Sequence, residues 1–289
     1  TLPVVVDWSS SIMKRVRWLP AAILGTTFIV YWVRIVLKAQ GDFPNHWELG
    51  RRMLFGEFIY DGDLDFVYLP FWALAHAPLA LIDVHMAQIM AYALAPLALA
   101  GLLWTLHHFT QELLPLDPDR LFWSTTVALA LGFHFFTRDL PEIGINTALV
   151  ALSWFAIYLW TKNRVGAAGI SLGLAAALKC TPLLFVAYFV LKREWKMVAA
   201  SISAFVLFSM SPMIVQGPDQ YVRTMQTWLL NVGDGIADPN PSRGPLGEDK
   251  VENLSLRPAL ARYLMHLPYG HLGRPETSDS PNRPNRPPN

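Results

Sequence analysis

The sequence predicts an all-α fold, a polytopic transmembrane helical bundle with an amphipathic juxtamembrane helix in its first outer loop. Three observations carry that expectation. Of 289 residues, 53% are hydrophobic and 16% charged, whereas a soluble chain carries about a quarter charged residues. The apolar residues are bunched into runs of membrane-spanning length rather than scattered at core positions. Between the first two apolar runs stands one hydrophilic stretch, GDFPNHWELGRRMLFGEFIYDGDLDFVY (41–68). In it Phe43, Trp47, Leu54 and Phe58 mark one helical stripe, while Glu48, Arg51, Arg52 and Glu57 fall elsewhere. A helix of that kind lies along a membrane surface instead of crossing it. Asp42, at the exit of the first span and roofed by that helix, is placed to act on a lipid substrate.

Composition also excludes. The net charge of +1 argues neither for nor against nucleic acid; no basic patch is interleaved with aromatics, and no nucleic-acid partner is expected. The single cysteine, Cys180, rules out an internal disulfide and a cysteine-built metal site. Lys14, Arg15 and Arg17 precede the first apolar run with no small-residue cleavage site after it, which reads as an uncleaved span.

Taken in order, residues 1–18 are a short basic lead, cytoplasmic by the positive-inside rule. Trp18–Leu37 is the first span, with Arg34 and Lys38 at its far end, able to snorkel or to meet an anionic lipid head. The loop 39–65 holds six acidic residues against two arginines, consistent with the outer face. Residues 66–82 form an apolar run interrupted by Pro70 and Pro78, barely long enough to span. Met86–Leu106 is a clear span. The run 121–136 ends in the cluster RDLPEIGIN (Arg138, Asp139, Glu142, Asn146), and 147–160 continues as a short apolar helix. Residues 165–191 have basic ends, TKNR and KREWK, with Lys179-Cys180-Thr181-Pro182 midway. Both ends favour the cytoplasm and Pro182 disrupts the helix, so a hairpin with Lys179 at its tip is preferred over one kinked span. A further span, 198–215, leads to a long polar loop and then Asn253-Leu254-Ser255. The transmembrane module is thus 19–268, and the Pro/Asn/Arg-rich tail 269–289 is expected to be disordered.

Several pieces in this order resemble glycosyltransferase family 87. They are GDF after the first span, GEFIYDGDLDFVYLP before an apolar run ending APLALI, the RDLPEIGIN link, LGLAAALKCTPLLFVAYFVLKREWK, and a late NLSLRPALARYL. The likeness runs over roughly 19–264. The family comprises polyprenyl-phosphate-mannose-dependent mannosyltransferases of the GT-C superfamily. The resemblance therefore implies a multi-pass enzyme of the cytoplasmic (plasma) membrane. It would move mannose or a related hexose from a polyprenyl-phosphate donor to a lipid or glycan acceptor on the outer face. The superfamily's catalytic aspartate maps to Asp42. Two departures stand out. Gly144-Ile145-Asn146 lacks the glutamine of the usual Gly-Gln-x-Asn, and the family continues for several more spans, which implies a C-terminally incomplete module.

The chemistry asks little of the protein. The leaving phosphate is a weak base and needs no general acid, whereas the acceptor hydroxyl needs a base as its proton becomes acidic. One carboxylate can therefore suffice for a single inverting displacement, unlike the carboxylate pair of glycoside hydrolysis; Asp42 is the candidate. An ammonium inside an apolar hairpin is costly unless it meets an anion, so Lys179, with Arg34, is the candidate for the lipid phosphate. Arg138, Asp139, Glu142, Asn146, Asn253 and Ser255 are candidates for sugar or acceptor binding. No cofactor and no metal is expected: Asp61, Asp63 and Asp65 read as a solvated loop, and His76 as a hydrogen-bonded packing histidine. The rival classes are a lipid-linked-substrate transporter or flippase, which paired broken helices would favour, and a truncated non-catalytic remnant.

Overall fold

The computed structural model describes residues 18–38, 41–60, 68–114 and 117–237. These are α-helical, joined by turns and two short 3-10 segments, with no strand among them. They divide into two compact units. The larger runs to Ile59 and again from Tyr68 to Tyr221; the smaller takes in Tyr60 and the chain from Val222 onward. All candidate site residues that the structure describes belong to the larger unit.

Helix α1 (Leu19–Lys38) is an apolar run of 20 residues, about 30 Å at 1.5 Å per residue and long enough to cross a bilayer. Ile23, Ile29, Val30 and Leu37 stay exposed on it while Phe28 and Ile35 turn inward. Helix α2 (Phe43–Leu54) follows at once. It is amphipathic as expected, but its inward face is Phe43, His46, Leu49, Gly50 and Met53, and it packs on protein, against the next three elements. Trp47 and Leu54 are only half-buried, and Phe58 lies beyond the helix end. Gly50 makes the close approach possible, since a Cβ there would sit 2.6 Å from the His76 carbonyl.

The described part of the run 66–82, from Tyr68 on, does not cross by itself. It breaks into helix α3 (Pro70–His76), only seven residues long, and a 3-10 turn, Ala77–Leu81, where Pro78 cannot continue the helix. α3 is packed between other elements, with Trp72 and Ala73 fully enclosed. Helices α4 (Val84–Tyr92) and α5 (Leu94–Leu113) form the second long apolar stretch. Pro96 has no N–H for the Tyr92 carbonyl four residues back, and the Trp32 indole donates to that carbonyl instead, at 2.8 Å.

Helix α6 (Pro118–Asp139) starts on the Asp117 cap, whose carboxylate accepts from the Asp119 and Arg120 amides. It ends in a 3-10 turn, Leu140–Glu142, and the left-handed pair Ile143 and Gly144. Helix α7 (Ile145–Thr161) then leaves at 116° to α6. Helices α8 (Val165–Leu178) and α9 (Leu183–Leu191) form the hairpin. Phe189 returns to the Trp160 ring, 5.3 Å between centroids, and shares one buried cluster with Ala168, Leu172 and Val186. Helix α10 (Trp195–Met210) runs parallel to α8, because Gly169 meets Ala200 and Gly173 meets Ala204 in the same order. Short α11 (Met213–Gln216) and α12 (Pro218–Ala237) complete the described chain.

Three described stretches are long and apolar enough to cross a membrane: α1, α4 with α5, and Trp195–Gln216; the bent α6–α7 pair makes a fourth if taken as one span. The basic turns that hold Lys162, Arg164, Lys192 and Arg193 stand at one end of α7, α8 and α9, and the Lys179 tip at the other.

Candidate active site

The site grows from the break between α6 and α7. Asp139, the last residue of α6, is buried and turns its carboxylate onto the open amides of α7. One oxygen accepts from the Asn146 amide N–H (3.2 Å) and from Asn146 Nδ2 (2.7 Å). The other accepts from the Thr147 N–H and hydroxyl, both at 2.7 Å. A carboxylate at a helix N-terminus is favourably placed for charge as well as hydrogen bonding. Gly144 permits the turn: it has φ +71, and a Cβ there would lie 2.5 Å from that of Ala95.

Onto this link sits the chain leaving α1. Gly41 has φ +127, and a Cβ on it would fall 2.2 Å from the Pro141 carbonyl oxygen and 2.4 Å from the Tyr92 hydroxyl. That hydroxyl donates to the same carbonyl at 3.1 Å. Asp42 is therefore carried to the edge of the link. It occupies the N-cap position of α2, where its carbonyl accepts from the Asn45 and His46 amides, yet its side chain caps nothing. The carboxylate is exposed and bonds to no described residue.

Lys179 arrives from the hairpin tip, in extended backbone just past α8. It is half-buried, donates to Asn146 Oδ1 at 3.0 Å and stands 5.8 Å from the centre of the Tyr68 ring. Among the described residues no carboxylate lies within ion-pairing distance of it. Tyr68 gathers the cluster electrostatically. Its phenol is pushed up to about 12, first by burial and then by the Glu142, Asp42 and Asp139 carboxylates. It stays protonated at neutral pH and its ring is a platform between the ammonium and Trp72, on which it stacks at 4.6 Å.

Behind Tyr68 lies a group of which the sequence reading named only His76, as a hydrogen-bonded packing histidine, and missed His46 and Trp72. The Trp72 indole donates to His46 Nδ1 at 3.1 Å, and His76 Nδ1 meets the Trp72 carbonyl at 2.9 Å. Burial, then the neighbouring His76, holds His46 down to about 3; burial holds His76 down to about 4 against the opposing pull of that carbonyl. Both imidazoles are neutral at physiological pH, and His46 keeps its proton on Nε2. This group braces α2 and α3 against each other beneath Asp42 and Tyr68. The available signal was spacing: His46 stands three residues from both Phe43 and Leu49, on one helical face.

The structure thus brings Asp42, Glu142, Asn146 and Lys179 together, with Asp139 beneath them. Arg34 and Arg138 are exposed and bond to no member of the cluster. Asn253, Ser255, Asp61, Asp63 and Asp65 lie outside the described residues, as does the tail 269–289.

The sequence model of glycosyltransferase family 87 matches residues 66–272. The chain belongs to glycosyltransferase family 87. No curated protein and no solved structure matches it. The matched span takes in Tyr68, the α6–α7 link, Lys179 and the Asn253–Ser255 segment, while Arg34, Asp42 and α2 stand before it. Family membership and the long apolar helices together make this an integral membrane glycosyltransferase.

Proposed function

We propose that the protein transfers mannose or a related hexose from a polyprenyl-phosphate carrier to a lipid or glycan acceptor, by a single inverting displacement of GT-C type. The observation that carries this reading is Lys179. Among the described residues this half-buried ammonium is supported by a neutral amide oxygen and an aromatic face, with no carboxylate paired to it. An ammonium away from water calls for an anion, and the donor's phosphate supplies one. The unspent carboxylate of Asp42 belongs to the same cluster.

In the proposed step the acceptor oxygen attacks the anomeric carbon from the side opposite the phosphate. The carbon–oxygen bond to phosphate breaks and its electron pair leaves with the phosphate, whose charge rises from one negative to two. Lys179 meets that charge where it develops, a form of electrostatic catalysis. Asp42 takes the acceptor proton. Glu142, which accepts from Asn146 Nδ2, is proposed to hold sugar hydroxyls. Asp139, saturated by α7, shapes the site. Arg34 and Arg138 are proposed to meet the lipid head at its rim, and Asn253 with Ser255 to reach the acceptor.

The basic turns at the opposite end of α7–α9 favour a multi-pass orientation with those turns in the cytoplasm and the cluster at the outer face of the plasma membrane. The test is sugar transfer in membranes from radiolabelled polyprenyl-phosphate-mannose, for the parent and Asp42→Asn. Label reaching product with the parent and lost in the variant, at equal protein level, is the expected result. Transfer unchanged in the variant would remove Asp42 from the mechanism. Transport of the intact lipid without sugar transfer would refute the enzyme reading.

A further inference from the structure

We infer that Asn146 is the positioning residue for Lys179: its amide, locked by Asp139 and Glu142, holds the ammonium in one place without neutralising it. The inference rests on the reading of Lys179 as the group that meets the donor phosphate.

A carboxamide has one acceptor and one paired donor, and here both ends are spoken for. Asn146 Nδ2 donates to Asp139 at 2.7 Å and to Glu142 Oε2 at 3.3 Å. The reverse flip would set the amide oxygen against two carboxylates and the NH2 against an ammonium. Oδ1 is therefore turned to Lys179 Nζ, at 3.0 Å. The backbone is anchored too, because the Asn146 N–H also binds Asp139.

The charge arrangement follows from the same bonds. Asp139 is the buried carboxylate, and its four donors come from Asn146 and Thr147. Its hydrogen-bonded link to Lys179 runs through the Asn146 amide. A carboxylate in place of that amide would pair with the ammonium and compete with the phosphate. A neutral oxygen fixes the flexible lysine stem while leaving its charge for the ligand.

The experiment is a double-mutant cycle on transfer from polyprenyl-phosphate-mannose, with inhibition by polyprenyl phosphate measured alongside. Asn146→Ala leaves the ammonium present but unplaced. Its kcat is expected to fall by about 10- to 100-fold, the scale of a misplaced catalytic group, with the donor KM nearly unchanged. In a Lys179→Met background the same change should cost less than about twofold, since coupled residues are non-additive. An equal fall in both backgrounds overturns the inference. Asn146→Asp keeps the shape and makes the acceptor a carboxylate. Donor KM and the inhibition constant of polyprenyl phosphate should both rise by about tenfold, with recovery toward pH 4 as the new carboxyl takes up a proton. No change in either constant overturns it as well. A parent that transfers no sugar and does not bind polyprenyl phosphate defeats the donor reading and this inference together. An active parent with an additive cycle defeats the inference alone.

Discussion

Gly41 offers a way to move Asp42 without touching its chemistry. An alanine there meets two separate obstacles. At φ +127 an L side chain is strained, by about 1–3 kcal/mol for a residue in a sparsely populated backbone region. Its Cβ would also fall 2.2 Å from the Pro141 oxygen. A carbon–oxygen contact normally sits at about 3.3 Å or more, so the Asp42 turn and the link must part by about 1 Å. A displacement of that size in a reacting group costs about 100-fold in rate. Gly56 is the control. It also has a left-handed φ, +69, but nothing within 4 Å of a Cβ, so Gly56→Ala meets strain of about 1–2 kcal/mol and no displacement. The assay is transfer kinetics with thermal unfolding of both purified variants. Gly41→Ala should lose about two orders of magnitude in kcat, and Gly56→Ala should lose stability with kcat within about twofold. Full activity in Gly41→Ala would show that seating Asp42 on the link does not matter for catalysis.

Three further outcomes follow from the packing. Asp139→Ala strands three donors at the start of α7 and leaves Asn146 Nδ2 to Glu142, and thermal unfolding should report a loss of about 2–4 kcal/mol, on the scale of a lost cap plus charge-assisted bonds. Gly173→Val pushes into Ala204 and the Phe205 amide, at 2.5 and 2.7 Å from a Cβ, and should destabilise by about 3 kcal/mol or more through overpacking. The neutral His46 and His76, held down to about 3 and about 4, set a pH dependence. The unfolded chain takes up a proton at each near pH 6.5 while the folded protein does not. Their contribution is therefore full above pH 6.5 and is lost as pH falls toward 4, by at most about 2.7 kcal/mol per pH unit for the pair. His46→Gln, which keeps an acceptor for Trp72, should flatten that slope by roughly half; an unchanged slope would contradict the burial of His46 as a neutral group.

Much of this was legible in the chain. The α8–α9 hairpin could be read because two basic ends and a central Pro182 leave one long span little sense. Asp42 and the RDLPEIGIN link announced themselves as polar groups beside apolar runs. What the chain hid was burial decided by tertiary partners. The residues concerned are His46, which is polar, and Gly50, which has no side chain, both on the inward face of α2. One is accepted because Trp72 donates to it, and the other because the His76 carbonyl fills the space where a side chain would be. The stripe drawn through Phe58 ran past the end of α2 at Leu54. Residues 66–82 read as a marginal span interrupted by Pro70 and Pro78, and in the structure that interruption is a break between α3 and a 3-10 turn. Tyr68 and Trp72 were taken as part of that span rather than as the floor of a site. The Lys179–Asn146 bond joins residues 33 apart and no local pattern specifies it.

The measurement that tests the central claim most directly uses Cys180, the chain's single cysteine, exposed at the hairpin tip beside Lys179. Purified protein would be labelled with a maleimide in the presence of polyprenyl phosphate or of the matching polyprenol. Occupation of the Lys179 site by lipid phosphate predicts that polyprenyl phosphate slows labelling several-fold while the polyprenol does not, and that Lys179→Met abolishes the difference. Equal labelling with both lipids in the parent would contradict it.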